Sequence, residues 1–189
     1  MSPLWRRRIA ESEGAALFVN RTMSATKDRW PAICYDLQQS LGANCAFDTG
    51  PHSRFEFALA VIGVELQALP NLLPPDQARR TRDLVYEFLI LPGETGYPSA
   101  YATDTVGEYE REWRAAEAAL TDPPASGPPN TPWDAVAAML YDRLGFSAAL
   151  ELGGVEYKHP VVILALSGTI VSLCGWWKLL LSQYRLLPG

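Results

Sequence analysis

Apolar residues recur at intervals of three and four along most of this chain, with polar residues between them. This spacing places apolar side chains on one face of an α-helix. It predicts about seven helices, over residues 4–23, 31–41, 54–69, 76–91, 105–120, 131–144 and 161–187. Helices joined by short connections indicate an all-α fold, arranged as a single orthogonal array or bundle.

The most apolar stretch runs from Val161 to Trp177 and has the sequence VVILALSGTIVSLCGWW. Its 17 residues reach about 26 Å as a helix, the short limit for a bilayer core of about 30 Å. The helical spacing continues past Lys178 into a more polar stretch. We therefore expect a buried C-terminal hydrophobic helix around which the other helices pack. A membrane span at 161–177 is the alternative, supported by the tryptophan pair beside Lys178.

Small residues form a strip on the same predicted helix. Gly168, Ser172 and Gly175 are three to four residues apart, and Ala165 and Ser182 extend the pattern. Small side chains at this spacing let another helix backbone approach closely. Gly168, Ser172 and Gly175 are therefore predicted to form a close-packing or partner face.

Four other segments carry local signals. Residues 54–69 are apolar on two faces, which is typical of an interior helix. Thr131 and Pro132 suit the N-cap and first position of a helix, and Thr105 followed by Glu108 is a capping-box pattern. The sequence LELGGVEY at 150–157 fits a small β-hairpin turning at two glycines, or equally a short helix that ends there.

A proline-rich segment, TDPPASGPPNTP at 121–132, is the best candidate for a linker. A fold that buries the last helix needs the earlier helices around it. We therefore predict a single helical domain over residues 1–189, with an external proline-rich loop at 121–132.

The charge distribution bears on partners and compartment. The net charge of -5 argues against a general affinity for nucleic acid, although Arg6, Arg7 and Arg8 make the start of the chain basic. A solvated helix face is the first interpretation of these arginines, an acidic protein partner the second and a nucleic-acid arm the last. No apolar stretch of a signal peptide follows them, so we expect a cytoplasmic protein.

Candidate chemistry is sparse. The three cysteines are widely separated and suggest reduced thiols. Asp48-Thr49-Gly50 resembles half of an aspartic-protease site, but one copy supplies one carboxylate, and a turn before the next helix is favoured. The Glu156-x-x-His159 spacing of di-iron bundles also occurs once where two are needed. No phosphate-binding or dinucleotide-binding glycine motif occurs in the sequence, and no metal or cofactor is expected.

These observations favour a non-enzymatic acidic protein that acts by protein–protein association, as an assembly, adaptor or regulatory component. A protein partner or a homo-oligomer is expected. Two alternatives stay open: a protein anchored in a membrane by 161–177, and an enzyme with a dispersed carboxylate site drawn from the residues Glu56, Glu65, Glu87, His52 and His159.

Overall fold

A computed structural model describes residues 6–41, 46–90, 99–121, 131–147, 149–152 and 155–188. The helices are α1 (Glu11–Leu41), α2 (Pro51–Leu72), α3 (Pro75–Ile90), α4 (Ser99–Thr121), α5 (Pro132–Arg143), α6 (Pro160–Leu173) and α7 (Trp176–Gln183). The strands are β1 (Arg7–Ala10), β2 (Ala149–Leu152), β3 (Val155–Lys158) and β4 (Tyr184–Leu187). The all-α class is confirmed, and the helices form a packed array.

Helix α1 joins two of the predicted helices into one. It continues through Pro31, where the sequence predicts a helix start. Ile33 and Leu37, which follow Pro31, share the core with Phe18 and Trp30, which precede it. Burial of this continuous apolar face outweighs the hydrogen bond that proline removes from the helix.

The central helix is α2, not the C-terminal one. It contacts each of the other six described helices, and residues Phe57 to Gly63 are buried without interruption. The expectation that the fold surrounds a buried C-terminal hydrophobic helix is corrected here. The physical reason is that α2 is apolar on both faces, whereas the neighbours of α6 cover only one of its sides.

Gly63 brings α2 and α4 close together. A Cβ atom at this position would lie 2.8 Å from Cβ of Tyr109 and 3.3 Å from the backbone oxygen of Val106. Both distances are shorter than ordinary van der Waals contacts. The absent side chain therefore sets the spacing of these two helices.

The predicted last helix is interrupted at Cys174 and Gly175, which separate α6 from α7. Gly175 has φ of 108°, a left-handed conformation that favours glycine. Trp177, just after the break, is fully buried and stacks on Phe18 of α1 with ring centroids 4.3 Å apart. Counting α6 and α7 as one interrupted helix gives six helices in the described residues, one fewer than predicted.

The helix starts confirm one capping prediction and correct another. Thr131 accepts the Asp134 backbone N–H at 3.2 Å, so α5 begins where the sequence predicts. Helix α4 begins six residues before Thr105, which is buried inside the helix. The Thr105–Glu108 pair is therefore not a capping box.

Two small sheets complete the fold. Strands β2 and β3 pair antiparallel, confirming the predicted hairpin, whose turn at 153–154 lies outside the described residues. Strands β1 and β4 pair in parallel, with Arg7 opposite Tyr184 and Ile9 opposite Leu186. Leu186 packs over Gly14 at the start of α1. Most of the predicted loop at 121–132 lies outside the residues that the structure describes.

Candidate interaction surface

Gly168 and Ser172 lie on an exposed side of α6, next to α1. A Cβ atom at Gly168 would meet no atom within 4 Å apart from its chain neighbours and the adjacent backbone of α6. The glycine is therefore not required by any contact with the described part of the chain. This position therefore has room for the backbone of a second helix.

A groove of about 280 Å³ runs between α1 and α6 at this point. Leu164, Gly168 and Ser172 form the α6 wall, one turn apart from each other. Ile33 and Leu37 of α1 belong to both the groove lining and the core. The groove is therefore apolar at its base and open to solvent above.

The outer side of α6 and α7 exposes large apolar side chains. Leu164 is 70% exposed, and Val161, Val171 and Leu179 are each more than 40% exposed. Four of the seven exposed large apolar residues among those described belong to these two helices, so the exposure is concentrated. We call Leu164, Gly168, Val171 and Ser172, with the groove beside them, the α6 face. A concentration of exposed apolar side chains is typical of protein-binding or membrane-binding surfaces, which makes the α6 face the candidate site.

Two opposite charges border the groove on the α1 side. Arg29 and Asp36 are both exposed and both line it. They are seven residues apart, which separates them by about 10 Å along the helix. Arg29 Nη1 donates to the Ser172 carbonyl at 3.4 Å, near the carbonyl end of α6 where a cation is favourable. The α6 face thus has a positive end and a negative end.

The inner side of α6 is fixed to the fold. Val162, Leu166 and Ile170 are fully buried, and Ser167 Oγ donates to Asp134 of α5 at 2.9 Å. The helix is therefore two-sided, with one wall in the core and one in contact with solvent. A rigid support of this kind holds the α6 face in a defined shape.

Gly175 has a different role from the one its spacing predicts. The small-residue strip assumes a continuous helix, but Gly175 occupies the turn between α6 and α7. Its N–H donates to the carboxylate of Glu65, and the N–H groups of Trp176 and Trp177 donate to the same carboxylate at 3.0 and 3.4 Å. The central helix therefore supplies the cap for α7. Burial raises the pKa of Glu65 above its usual range, and these hydrogen bonds oppose the rise.

A second buried carboxylate, Glu56, forms part of a polar cluster between α2, α4 and α5. It is fully buried and accepts hydrogen bonds from Tyr101, from Tyr109 at 3.4 Å and from Arg143 Nη1 at 3.2 Å. Arg143 also bridges to Glu108 and is 23% exposed. Burial raises the pKa of Tyr101 to about 12 and that of Tyr109 well above 10, and Glu56 acts in the same direction. Both phenols are therefore protonated donors at neutral pH, and the cluster links three helices.

A third buried carboxylate lies where the sequence pattern suggests a solvated face. Glu110 of α4 is 1% exposed and binds Arg82, with Arg114 at 3.7 Å. Tyr86 donates to it at 2.7 Å and Gln67 at 2.8 Å. Glu110 and Arg114 are four residues apart on the helix, but the carboxylate faces the core and links α2, α3 and α4.

The other sequence motifs have structural roles. Asp48 accepts hydrogen bonds from Gly50 N–H and Ser53 Oγ, both at 2.8 Å, and so forms the turn that precedes α2. The Gly50 hydrogen bond contributes most to lowering the pKa of Asp48. Burial raises the pKa of Cys34 to about 11 and raises that of Cys174 further, so neither thiol ionises at neutral pH. Glu156 lies in strand β3, not on a helix.

Within the described ranges, His, Cys, Asp and Glu side chains do not gather in groups of three that could hold a metal ion. No known protein family, curated protein or solved structure shows a significant match to this chain.

Sequence reasoning found part of the α6 face. It predicted Gly168 and Ser172 from their spacing, and the structure places both in the same groove. It missed Arg29 and Asp36, whose interval of seven residues is a helical signal but occurs by chance in many helices. It named Glu56 only as a member of a dispersed carboxylate site and did not identify its partner Arg143, 87 residues away.

Proposed function

We propose that this protein acts by association, as an assembly component whose α6 face binds a second copy of the same chain. The observation that carries the proposal is the 70% exposure of Leu164 on a rigid helix, next to a glycine with open space over it. Covering a leucine side chain contributes about 1.5–3 kcal/mol. The open space at Gly168 allows another helix to approach closely enough to cover Leu164.

Charge complementarity supports a second copy as the occupant. In a two-fold symmetric interface, if residue i of one chain contacts residue j of the other, the reverse contact also occurs. A two-fold axis through the middle of the groove would bring Arg29 of each chain toward Asp36 of the other. Each end of the α6 face would then face a residue of opposite charge.

Sedimentation equilibrium tests the proposal directly. The expected result is a monomer–dimer equilibrium that Leu164→Glu weakens about 100- to 10,000-fold, because a two-fold dimer loses one buried leucine from each chain. Leu120→Glu is the matched control, because Leu120 is 48% exposed on α4, outside the α6 face. A chain that stays monomeric at 100 µM, or equal effects of the two variants, would refute the proposal.

A charge-swap experiment tests the geometry. Arg29→Asp and Asp36→Arg should each weaken self-association, since each variant places like charges at both ends of the interface. An equimolar mixture of the two variants should form heterodimers, because each chain then offers the charge that the other needs. A mixture no better associated than the separate variants would contradict the two-fold arrangement.

A membrane anchor is the second candidate, and length and composition favour it. Pro160–Gln183 and Pro51–Leu72 are both long and apolar enough to cross a bilayer, with 33% and 67% of their most apolar windows buried. Against an anchor, Trp177 is in the core rather than at an interface, and exposed Arg29 and Asp36 lie beside α6. Ultracentrifugation of a detergent-free lysate separates the candidates: an anchor keeps the chain in the membrane pellet.

A further inference from the structure

The β1–β4 sheet places arginines together near the two ends of the chain. Arg8 lies opposite Arg185 in the parallel register, and both are exposed. Arg6 and Arg7, also exposed, precede Arg8 directly. Like charges opposite each other on neighbouring strands destabilise a sheet. This arrangement is unfavourable unless an anion reduces the repulsion.

The described part of the chain does not neutralise these arginines through ion pairs. None of the four arginines forms an ion pair with a described residue, although the chain as a whole has a net charge of -5. Glu11, next to β1, is bound by Arg80 at 2.9 Å. Glu13 accepts the Ala10 backbone N–H at 3.0 Å. Glu11 is therefore engaged by another cation, whereas Glu13 lies beside Arg7 and Arg8 without forming an ion pair with them.

A groove of about 530 Å³ lies beside these arginines. Arg7 and Arg8 line it from the strand, Ile9 and Leu17 provide apolar contacts, and Tyr184 borders it from β4. Its lining combines two arginines and apolar surface with a single carboxylate, that of Glu13. It therefore suits a ligand that carries both acidic and apolar side chains.

The sheet itself is open at β1. Strand β1 pairs only with β4 in the described residues, so its outer edge has no strand partner there. Beside β4, helix α3 contributes Gln77, whose Nε2 donates to the Leu186 carbonyl at 3.2 Å. An open strand edge offers backbone donors and acceptors at the spacing of another extended polypeptide.

We propose that β1 and its groove bind an extended acidic segment of a partner protein, which adds a third strand to the sheet. Its backbone pairs with the edge of β1, and its acidic side chains neutralise Arg6, Arg7, Arg8 and Arg185. Its apolar side chains enter the groove beside Ile9 and Leu17. A polypeptide fits better than a nucleic acid or lipid surface, because only a peptide backbone completes a strand edge. This surface is separate from the α6 face.

Fluorescence anisotropy with a labelled ten-residue peptide of alternating glutamate and valine tests this inference. We expect saturable binding that weakens with added salt and weakens at least tenfold in the Arg8→Gln/Arg185→Gln variant. Arg79→Gln, which changes an exposed arginine on α3, should leave the affinity unchanged. Circular dichroism of both variants verifies that the fold is intact. Loss of binding without a change in that spectrum supports the proposal.

Two further probes separate strand addition from simple charge attraction. A peptide of equal charge in which proline replaces valine lacks half of the backbone N–H groups and should bind at least tenfold more weakly. Equal binding of the two peptides would overturn strand addition. Tighter binding of single-stranded DNA or of phosphatidylserine vesicles through the same arginines would overturn the choice of a protein partner. The Leu164→Glu variant should bind the acidic peptide normally, so this test is independent of the α6 face.

Discussion

Trp176 donates its backbone N–H to the carboxylate of Glu65 at 3.0 Å, so that a side chain of the central helix caps a helix more than 100 residues away in sequence. Gly175 and Trp177 donate to the same carboxylate, which is 3% exposed. Three N–H groups that have no partner within α7 are satisfied in this way. The bend between α6 and α7 depends on this one residue.

Glu65→Ala should therefore lower the free energy of unfolding by about 2–3 kcal/mol, because it removes the cap and leaves buried N–H groups without an acceptor. Glu65→Gln should cost less, about 1 kcal/mol, since the amide oxygen still accepts hydrogen bonds. Urea denaturation at pH 7 measures both. Equal losses for the two variants would show that the charge, and not the hydrogen bonding, holds α7.

Acid unfolding should depend on Glu11. Arg80 holds the pKa of Glu11 below its usual 4.5, chiefly by a hydrogen bond to the carboxylate. The folded state then binds fewer protons than the unfolded chain just below pH 4.5, so the contribution of Glu11 is complete above that pH and is lost as the pH falls through the folded pKa.

The stability difference between the unmodified chain and the Glu11→Gln variant measures this contribution. It should be constant from pH 6 to 7 and shrink as the pH falls from 4.5 to 3. Glu117→Gln, a change on the exposed face of α4, serves as the control and should show no such trend. A difference that stays constant down to pH 3 would contradict the assigned shift.

Local sequence signals account for the elements that were predicted correctly. The two apolar faces around Phe57 and Leu59 indicated an interior helix, and Thr131 with Pro132 marked the start of α5. Each of these patterns depends on residues within about four positions of one another. In these segments the secondary structure therefore follows the local sequence pattern.

Long-range relationships could not be predicted in the same way. Pairing of Arg7 with Tyr184 joins residues at opposite ends of the chain, and the four-residue strand β1 lacks a regular alternation of apolar and polar residues. The prediction that the last helix is central was wrong, because apolar composition does not show whether a helix is buried on one side or on all sides. The α6 face was found only through Gly168 and Ser172, since their spacing is a local property.

The buried Glu56–Arg143 pair predicts a strong asymmetry between single and double variants. Arg143→Met leaves the Glu56 carboxylate buried without a cation and should cost about 3–5 kcal/mol. Adding Glu56→Gln removes that charge and should recover most of the loss, because a neutral amide still accepts from Tyr101. Urea unfolding of both variants measures the recovery. A double variant as unstable as Arg143→Met would show that packing of Arg143, and not charge, explains the loss.

Gly63 and Gly168 are both glycines inside helices, and alanine should affect them in opposite directions. At Gly63 the added methyl group meets Tyr109 at 2.8 Å, so Gly63→Ala should destabilise the fold by about 1–3 kcal/mol. At Gly168 no atom lies within 4 Å, so Gly168→Ala should stabilise the monomer by about 0.5–1 kcal/mol through helix propensity. Urea denaturation at low micromolar protein concentration measures both effects. Sedimentation equilibrium of Gly168→Ala should then show weaker self-association, because the methyl group fills the space for the second helix. If the variant is more stable but dimerises as strongly as the unmodified chain, Gly168 does not take part in the dimer contact.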